Sequence, residues 1–327
     1  MDYNRIQLRT WSMLGKRGTF GSAYSELAPN DDKCMVLSAD FIRSSGLERF
    51  NKAYPEKCLN VGIAEQNLIG IASGLASEGY NVFATSFAAF ICTRSYEQVK
   101  IHCGYMKHNI KVIGLAAGFG VQQQGNTHYG LDDICLMRAI PGMTILSPAD
   151  SAEVVKMTEA LMHYDGPAYL RLCGEAGDPM VYKEDYDFEI GKAITLREGA
   201  DVTIVATGTM VYQSLQAAKK LAEQGIECTV INMHTIRPLD TEVLDKYCHD
   251  CKLVVTAEEG FVTGGLGAAV AEELLQSGKK VVKMLQIGLR DFPHAGSYKY
   301  MLAQTGLDAE SIANKISDQL SVISSQK

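Results

Sequence analysis

The stretch "NVGIAEQNLIGIASGLASEGYNVFATSFAAF", residues 60–90, joins a helical pattern directly to a strand pattern. Four of its apolar residues recur at the spacing of one helix face, namely Leu68, Ile71, Ala72 and Leu75. This periodicity predicts a helix over 66–78, and the run "NVFATSF" that follows predicts a strand. A helix followed at once by such a strand is the unit from which α/β folds are built.

The rest of the chain repeats this alternation. Strand patterns occur at "CMVLSAD", "IKVIGLAAG" and "MTILSPA" in the first half, and at "VTIVATG", "ECTVINM", "KLVVTAEE" and "KVVKMLQIG" in the second. Further helical patterns lie over 151–163, 211–224 and 265–277. We therefore expect two doubly wound, three-layer α/β domains with mostly parallel sheets. A stretch rich in Gly and charges separates them, which predicts domains at 1–175 and 191–327 with a linker at 176–190.

Composition and charge narrow the class of protein. A chain of 327 residues exceeds the usual size of one core, which supports two domains. The 31 basic and 38 acidic residues give a net charge of −7, which argues against a nucleic-acid ligand. Nine scattered cysteines fit a reducing compartment rather than a disulfide framework. With neither a signal-peptide pattern nor an apolar run long enough for a membrane span, we expect a cytoplasmic protein.

Three features offer side chains that could do chemistry. Glu65 stands in the first turn of the first predicted helix, where an acid can simply complement the helix dipole. Phe87 and Phe90 are spaced so that both rings could form one wall of a pocket, although either ring alone would suit a core. His128 lies in the polar loop "GFGVQQQGNTHYG", a setting typical of reactive groups and also of structural histidines.

Longer segments extend these motifs in one consistent order. The first half contains the segment at 60–90, then "GNTHYGLDDICLMRAIPGMTILSPADSAE" and then "DGPAYLRL". The second half contains "DVTIVATGTMVYQSLQAAKKL", then "VINMHTIRPLD" and then "AEEGFVTGGLGAAVAEEL". In this order they resemble the pyrimidine-binding domain and then the C-terminal domain of the transketolase family. The family's "GDG" run, which binds metal and diphosphate in a preceding domain, does not occur in this sequence. The chain therefore resembles the carboxy-terminal subunit of a split transketolase.

This resemblance implies thiamine diphosphate as the cofactor. Glu65 matches the family's glutamate that bonds the aminopyrimidine ring, and Phe87 and Phe90 match its aromatic wall. Asp40, in "LSAD", matches a position close to the cofactor. Mg²⁺ or Ca²⁺ would be held by an amino-terminal, diphosphate-binding partner subunit, with no metal ligand in this chain. The resemblance further implies a self-dimer within a heterotetramer that contains two copies of each subunit.

On the substrate side the sequence departs from the family pattern. His128 matches the histidine that faces the sugar, which implies a role in sugar binding or proton transfer. A family histidine and aspartate in the same loop align with Ala116 and Gln124, and the arginine that grips an acceptor phosphate aligns with Gly174. Arg171 lies nearby and follows the pattern of deoxyxylulose-phosphate synthases. We expect His128, Gln124 and Arg171 to contact substrate and the sugar preference to be altered.

The implied activity is transfer of a two-carbon ketol unit, glycolaldehyde, from a ketose to an aldose. The sequence leaves three alternatives open: half of a 1-deoxyxylulose-5-phosphate synthase-like enzyme, the beta subunit of a 2-oxoacid dehydrogenase, and a non-catalytic regulatory or structural paralogue. A nicotinamide-binding module would rest on "GGLGAA" at 264–269 alone.

Overall fold

The computed structural model describes residues 3–326 and contains two sheets. The strands are β1 (Cys34–Ser38), β2 (Cys58–Asn60), β3 (Asn81–Phe87), β4 (Ile110–Ala117), β5 (Thr144–Leu146), β6 (Ala168–Cys173), β7 (Ile194–Arg197), β8 (Val202–Ala206), β9 (Cys228–Asn232), β10 (Thr235–Arg237), β11 (Leu253–Phe261) and β12 (Met284–Leu289). The first sheet has the order β10-β5-β6-β4-β3-β1-β2 and the second β12-β11-β8-β9-β7. All neighbours are parallel except β10 with β5 and β7 with β9. The prediction of mostly parallel sheets is confirmed.

Helices connect these strands. They are α1 (Arg5–Leu27), α2 (Glu48–Ala53), α3 (Glu65–Ser77), α4 (Ala88–Thr93), α5 (Tyr96–Val99), α6 (Asp133–Arg138), α7 (Ser151–His163), α8 (Met210–Ala222), α9 (Thr241–Tyr247), α10 (Leu266–Gln276), α11 (Tyr298–Thr305) and α12 (Ala309–Ser325). The four predicted helices correspond to α3, α7, α8 and α10. Their ends agree with the predicted ones to within two residues. In the described part of the chain, no helix combines the length and apolar character required to cross a bilayer.

Each sheet is covered on both faces. Successive residues of the first sheet alternate between two apolar clusters, the first containing Val36, Phe83 and Ile113 and the second Leu37, Ala84 and Val112. Helices α1 and α7 contribute to the first cluster, while α3 contributes Leu68 and Ala72 to the second. Because side chains on a strand point alternately to opposite faces, this pattern describes three layers. The predicted doubly wound α/β class is therefore confirmed.

The long first helix is interrupted where the start of the linker passes it. Gly15 has a φ of 69°, and a Cβ there would lie 2.8 Å from the carbonyl oxygen of Glu175. Glycine is required at this contact because it tolerates a positive φ and leaves room for the passing backbone. Residues 174–193 contain neither helix nor strand.

The two halves of the chain share a strand and a buried polar cluster. Strand β10 follows the linker in sequence, yet it pairs with β5 of the first sheet. Below that junction the amide of Asn232 donates to both carboxylate oxygens of Glu153, at 2.9 and 3.1 Å. Burial raises the pKa of Glu153 to about 7. These contacts fix the second half against the carboxyl ends of the first sheet.

Candidate functional site

Glu65 is the first residue of α3, and its carboxylate is almost completely buried, with 2% of the residue exposed. Its Oε2 lies 2.9 Å from Nη1 of Arg94, which forms an ion pair. Its Oε1 lies 3.5 Å from the hydroxyl of Ser86 in β3, near the upper limit for a hydrogen bond. One oxygen of a buried acid therefore has only a weak partner, and it can accept a hydrogen bond from a ligand.

An aromatic wall stands beside this carboxylate. Phe87 is the last residue of β3 and Phe90 lies in α4, with their ring centroids 6.0 Å apart. A third ring, Phe41, lies 4.2 Å from Phe87. Sequence reasoning missed Phe41, although its place directly after Asp40 at the end of a strand was a usable signal. The rings of both pairs are tilted by 32–35° to each other, and a wall of neighbouring aromatic rings suits a flat heterocyclic ligand.

Arg94 is the second residue that the sequence did not single out. Its guanidinium carbon lies 4.4 Å above the centroid of Phe90 while one of its nitrogens bonds Glu65. About half of the Arg94 side chain is exposed, at 49%. Arg94 therefore links the buried acid to the aromatic wall.

His128 meets the same wall. Its ring lies edge-on to Phe90, with the centroids 5.2 Å apart, and its Nδ1 lies 2.9 Å from the hydroxyl of Thr127. The side-chain amide of Asn126, in the same loop as His128, donates a hydrogen bond to the carbonyl of Pro293 at 2.9 Å and so anchors this loop to the second half of the chain. The structure thus brings Glu65, the two predicted phenylalanines and His128 into one chain of contacts.

Asp40 and Gln124, two further predicted site residues, are exposed and lie outside this chain of contacts. Asp40 follows β1, is exposed and has a φ of 65°, a left-handed conformation that is uncommon outside glycine. Its backbone N–H donates to the Asn60 side chain at 3.0 Å, and the Asn60 amide donates back to its carboxylate at 3.2 Å. Gln124 is exposed in the short helical turn before Gly125, in the same loop as His128. Contact with a ligand stays a prediction for both.

The expectation that Arg171 contacts substrate is corrected by its burial. Arg171 lies in β6 with no exposed surface, and its Nε donates to Asp133 at 2.7 Å. Its Nη2 donates to the carbonyls of Gly130 and Glu259, at 3.1 and 2.8 Å. Burial disfavours the charged guanidinium, but Asp133 outweighs this and holds the pKa of Arg171 well above its ordinary value. Arg171 therefore joins the two halves and has no surface to offer a sugar.

Gly174, where the family pattern has an arginine, lies in a crowded turn. Its φ is 93°, and a Cβ there would lie 3.1 Å from Thr209 and 3.4 Å from Asp178. Both the left-handed backbone and the close neighbours favour glycine. The position thus offers no charge for an acceptor phosphate.

Two further observations bear on ligands. The glycine-rich stretch "GGLGAA" lies at the start of helix α10. There the carboxylate of Glu258 accepts hydrogen bonds from the backbone N–H groups of Leu266 and Gly267, at 2.8 and 2.9 Å. A side chain of this protein therefore fills the place that a nucleotide phosphate would need.

Within residues 3–326, no group of three or more His, Cys, Asp or Glu side chains is placed to hold a metal ion.

Comparison with known proteins gives consistent matches along the chain. Residues 13–176 match the family model described as the transketolase pyrimidine binding domain, and residues 191–312 match that of the transketolase C-terminal domain. The chain is 39% identical over 297 residues to a 6-deoxy-6-sulfo-D-fructose transketolase subunit of Clostridium sp. (strain MSTE9), covering 90% of this chain and 91% of that relative. It is 37% identical over 302 residues to one of the subunits of the apulose-4-phosphate transketolase of Phocaeicola vulgatus, covering 92% and 96%.

A solved structure agrees with these relatives. It is described as a split gene transketolase, inactive beta4 tetramer, and superposes with a TM-score of 0.83 at 37% identity. The match covers 94% of this chain and 98% of the other. The chain therefore belongs to the transketolase family, of which it carries the pyrimidine-binding and C-terminal domains.

Proposed function

We propose that this chain is one subunit of a thiamine-diphosphate-dependent transketolase. It would transfer a two-carbon ketol unit from a ketose to an aldose, and only together with a diphosphate-binding partner subunit. The observation that carries the proposal is Glu65, a buried carboxylate with one weakly bonded oxygen beside an aromatic wall. A surface acid that only complements a helix dipole would be solvated and would need no such wall.

The residues present fit the aminopyrimidine half of this cofactor. Oε1 of Glu65 would accept the hydrogen bond of a ring nitrogen, and Phe87 and Phe90 would support the ring face, with Asp40 at the rim. When bound, the cofactor supplies the electron sink for cleavage next to a carbonyl. Glu65 would hold or share a proton at the ring nitrogen, and the phenylalanines would exclude water from it.

His128 would act on the sugar. Its place beside Phe90 puts an imidazole next to the proposed ring site, where it can bind a hydroxyl or move its proton. The absence of side-chain charge at Ala116 and Gly174 supports an acceptor site unlike that of typical sugar-phosphate transketolases. The relatives named for a sulfofructose and for apulose-4-phosphate support the same view, and we propose a modified sugar as substrate.

The partner is inferred from what this chain lacks. Its sequence has no "GDG" run, so we propose that a second subunit binds the diphosphate with Mg²⁺ or Ca²⁺. The related beta4 tetramer is described as inactive, which supports the need for such a subunit. We propose a heterotetramer of two copies of each.

The test is reconstitution with the chain encoded by the neighbouring reading frame. The two chains are mixed with thiamine diphosphate, Mg²⁺ and a panel of phosphorylated and unphosphorylated ketoses, and two-carbon transfer to aldoses is followed by mass spectrometry. Glu65→Ala should lower transfer at least about 100-fold. Glu78→Ala, an exposed acid at the other end of α3, serves as the matched control and should leave it unchanged. Full activity of Glu65→Ala would disprove the proposal.

The same mixture separates the alternatives. Carbon dioxide release from pyruvate with glyceraldehyde phosphate would indicate a deoxyxylulose-phosphate synthase-like enzyme. Reduction of a lipoyl acceptor would indicate a 2-oxoacid dehydrogenase subunit. Assembly with the partner but no turnover of any donor would indicate a regulatory paralogue.

A further inference from the structure

Arg94 contacts both Glu65 and Phe90, the two groups that we propose bind the cofactor ring. Its Nη1 donates to Oε2 of Glu65 at 2.9 Å, and its guanidinium carbon lies 4.4 Å over Phe90. The hydroxyl of Ser86, at 3.5 Å, is a much weaker partner of the same carboxylate. Arg94 is therefore the principal partner of a buried acid.

A guanidinium presents the same contact pattern as an aminopyrimidine. Both are flat, both can lie on an aromatic face, and both carry N–H groups in the plane that a carboxylate can accept. A buried carboxylate without any partner is costly, so the free chain needs a donor at this place. Arg94 supplies that donor from its own sequence.

We propose that Arg94 is a placeholder that covers the ring of Phe90 in the free chain, and that its guanidinium leaves this ring when the aminopyrimidine binds against it and bonds Oε1 of Glu65. This inference rests on the proposed function and adds a regulatory step to the same site. The two partners differ in their freedom to move. Glu65 is fixed in the first turn of α3 and buried, whereas the Arg94 side chain is half exposed and follows the last residue of α4.

Whether cofactor affinity rises or falls when the Arg94 side chain is removed distinguishes a placeholder from a residue that helps to hold the cofactor. If Arg94 competes with the cofactor, its removal eliminates an interaction that binding must break, and affinity rises. If Arg94 stays and helps to hold the cofactor, its removal lowers affinity. Since the cofactor is an anion, loss of a positive charge alone would also lower affinity.

The experiment is titration calorimetry of the assembled two-subunit enzyme with thiamine diphosphate in excess Mg²⁺. We expect Arg94→Gln to bind thiamine diphosphate about tenfold more tightly than the wild type does. In the wild type the cofactor must first displace the half-exposed Arg94 guanidinium from the ring of Phe90, whereas the variant has no such contact to break. Lys100→Gln removes an exposed positive charge from the following turn and should bind no more tightly than the wild type. Unchanged or weaker binding by Arg94→Gln would overturn the inference.

Two controls keep the test decisive. Thermal unfolding of the free Arg94→Gln chain should show a lowered Tm, because Glu65 loses its partner. If Arg94→Gln does not assemble, Arg94→Lys replaces it: lysine keeps the charge but lacks the flat fork, so about threefold tighter binding is expected and equal or weaker binding overturns the inference. A wild-type enzyme that binds no cofactor would instead refute the proposed function, and the placeholder role with it.

Discussion

Replacing Asp133 with asparagine should be among the most damaging single changes to the stability of this chain. Asp133 and Arg171 are both fully buried, and their ion pair measures 2.7 Å. The hydroxyl of Tyr169 also donates to the same carboxylate oxygen, at 2.6 Å. Asparagine keeps the shape but removes the charge, which leaves the guanidinium buried without a counter-charge.

The magnitude follows from the burial of both partners. Breaking a buried ion pair from one side typically costs about 3–5 kcal/mol. Arg171 keeps the carbonyls of Gly130 and Glu259, so we place Asp133→Asn at the lower end, about 3 kcal/mol. For a chain of this size that corresponds to a Tm lower by about 4 °C.

Urea denaturation followed by circular dichroism measures this cost. Glu48→Gln is the matched control because it breaks an exposed pair with Lys52, at 3.2 Å, and should cost less than about 0.5 kcal/mol. Adding Arg171→Met to Asp133→Asn removes the stranded charge and should recover part of the loss. A cost below about 1 kcal/mol for Asp133→Asn would refute the reasoning.

The remaining predictions concern pH, cofactor and substrate. Burial raises the pKa of Glu153 to about 7, from 4.5, so folding keeps a proton that the unfolded chain has lost. The unfolding free energy should therefore fall as pH rises from about 4.5 to 7, and Glu153→Gln should reduce that fall by about 3 kcal/mol, measured by urea titrations at pH 5 and 7.5. Equal falls would contradict this. Phe90→Leu should weaken cofactor binding about fivefold in calorimetry, because a stacking contact is worth about 1 kcal/mol; an unchanged Kd would count against the wall. His128→Ala should lower kcat about 100-fold without changing cofactor affinity, and near-normal turnover would exclude its proposed role.

Periodicity in the sequence predicted the elements that hold the site. Helix α3 and strand β3 follow from the apolar spacing of residues 60–90, because that spacing reports which faces are buried. That Glu65, Phe87 and Phe90 share one site was implied by the resemblance to the transketolase family and not by periodicity. The domain limits at 1–175, 176–190 and 191–327 remain a prediction.

The features that the sequence did not predict depend on contacts between distant segments. Strand β10 has three residues and pairs across the linker, so no local pattern marks it. Phe41 and Arg94 gain their importance only through neighbours on other elements. The burial of Arg171 was within reach, because a charge inside an otherwise apolar strand of a doubly covered sheet must find an acid.

Because β10 completes the first sheet from beyond the linker, the first half is not a self-sufficient module. Produced alone, residues 1–190 would present β5 as an open edge, whose unpaired backbone groups recruit strands from other molecules and promote aggregation. They would also lose the Asn232 amide that bonds Glu153. In a chimaera recombined within the linker, β10 and the residue at position 232 would come from the other relative, so we expect exchange of substrate preference to work best when residues 230–240 are carried along with the first half.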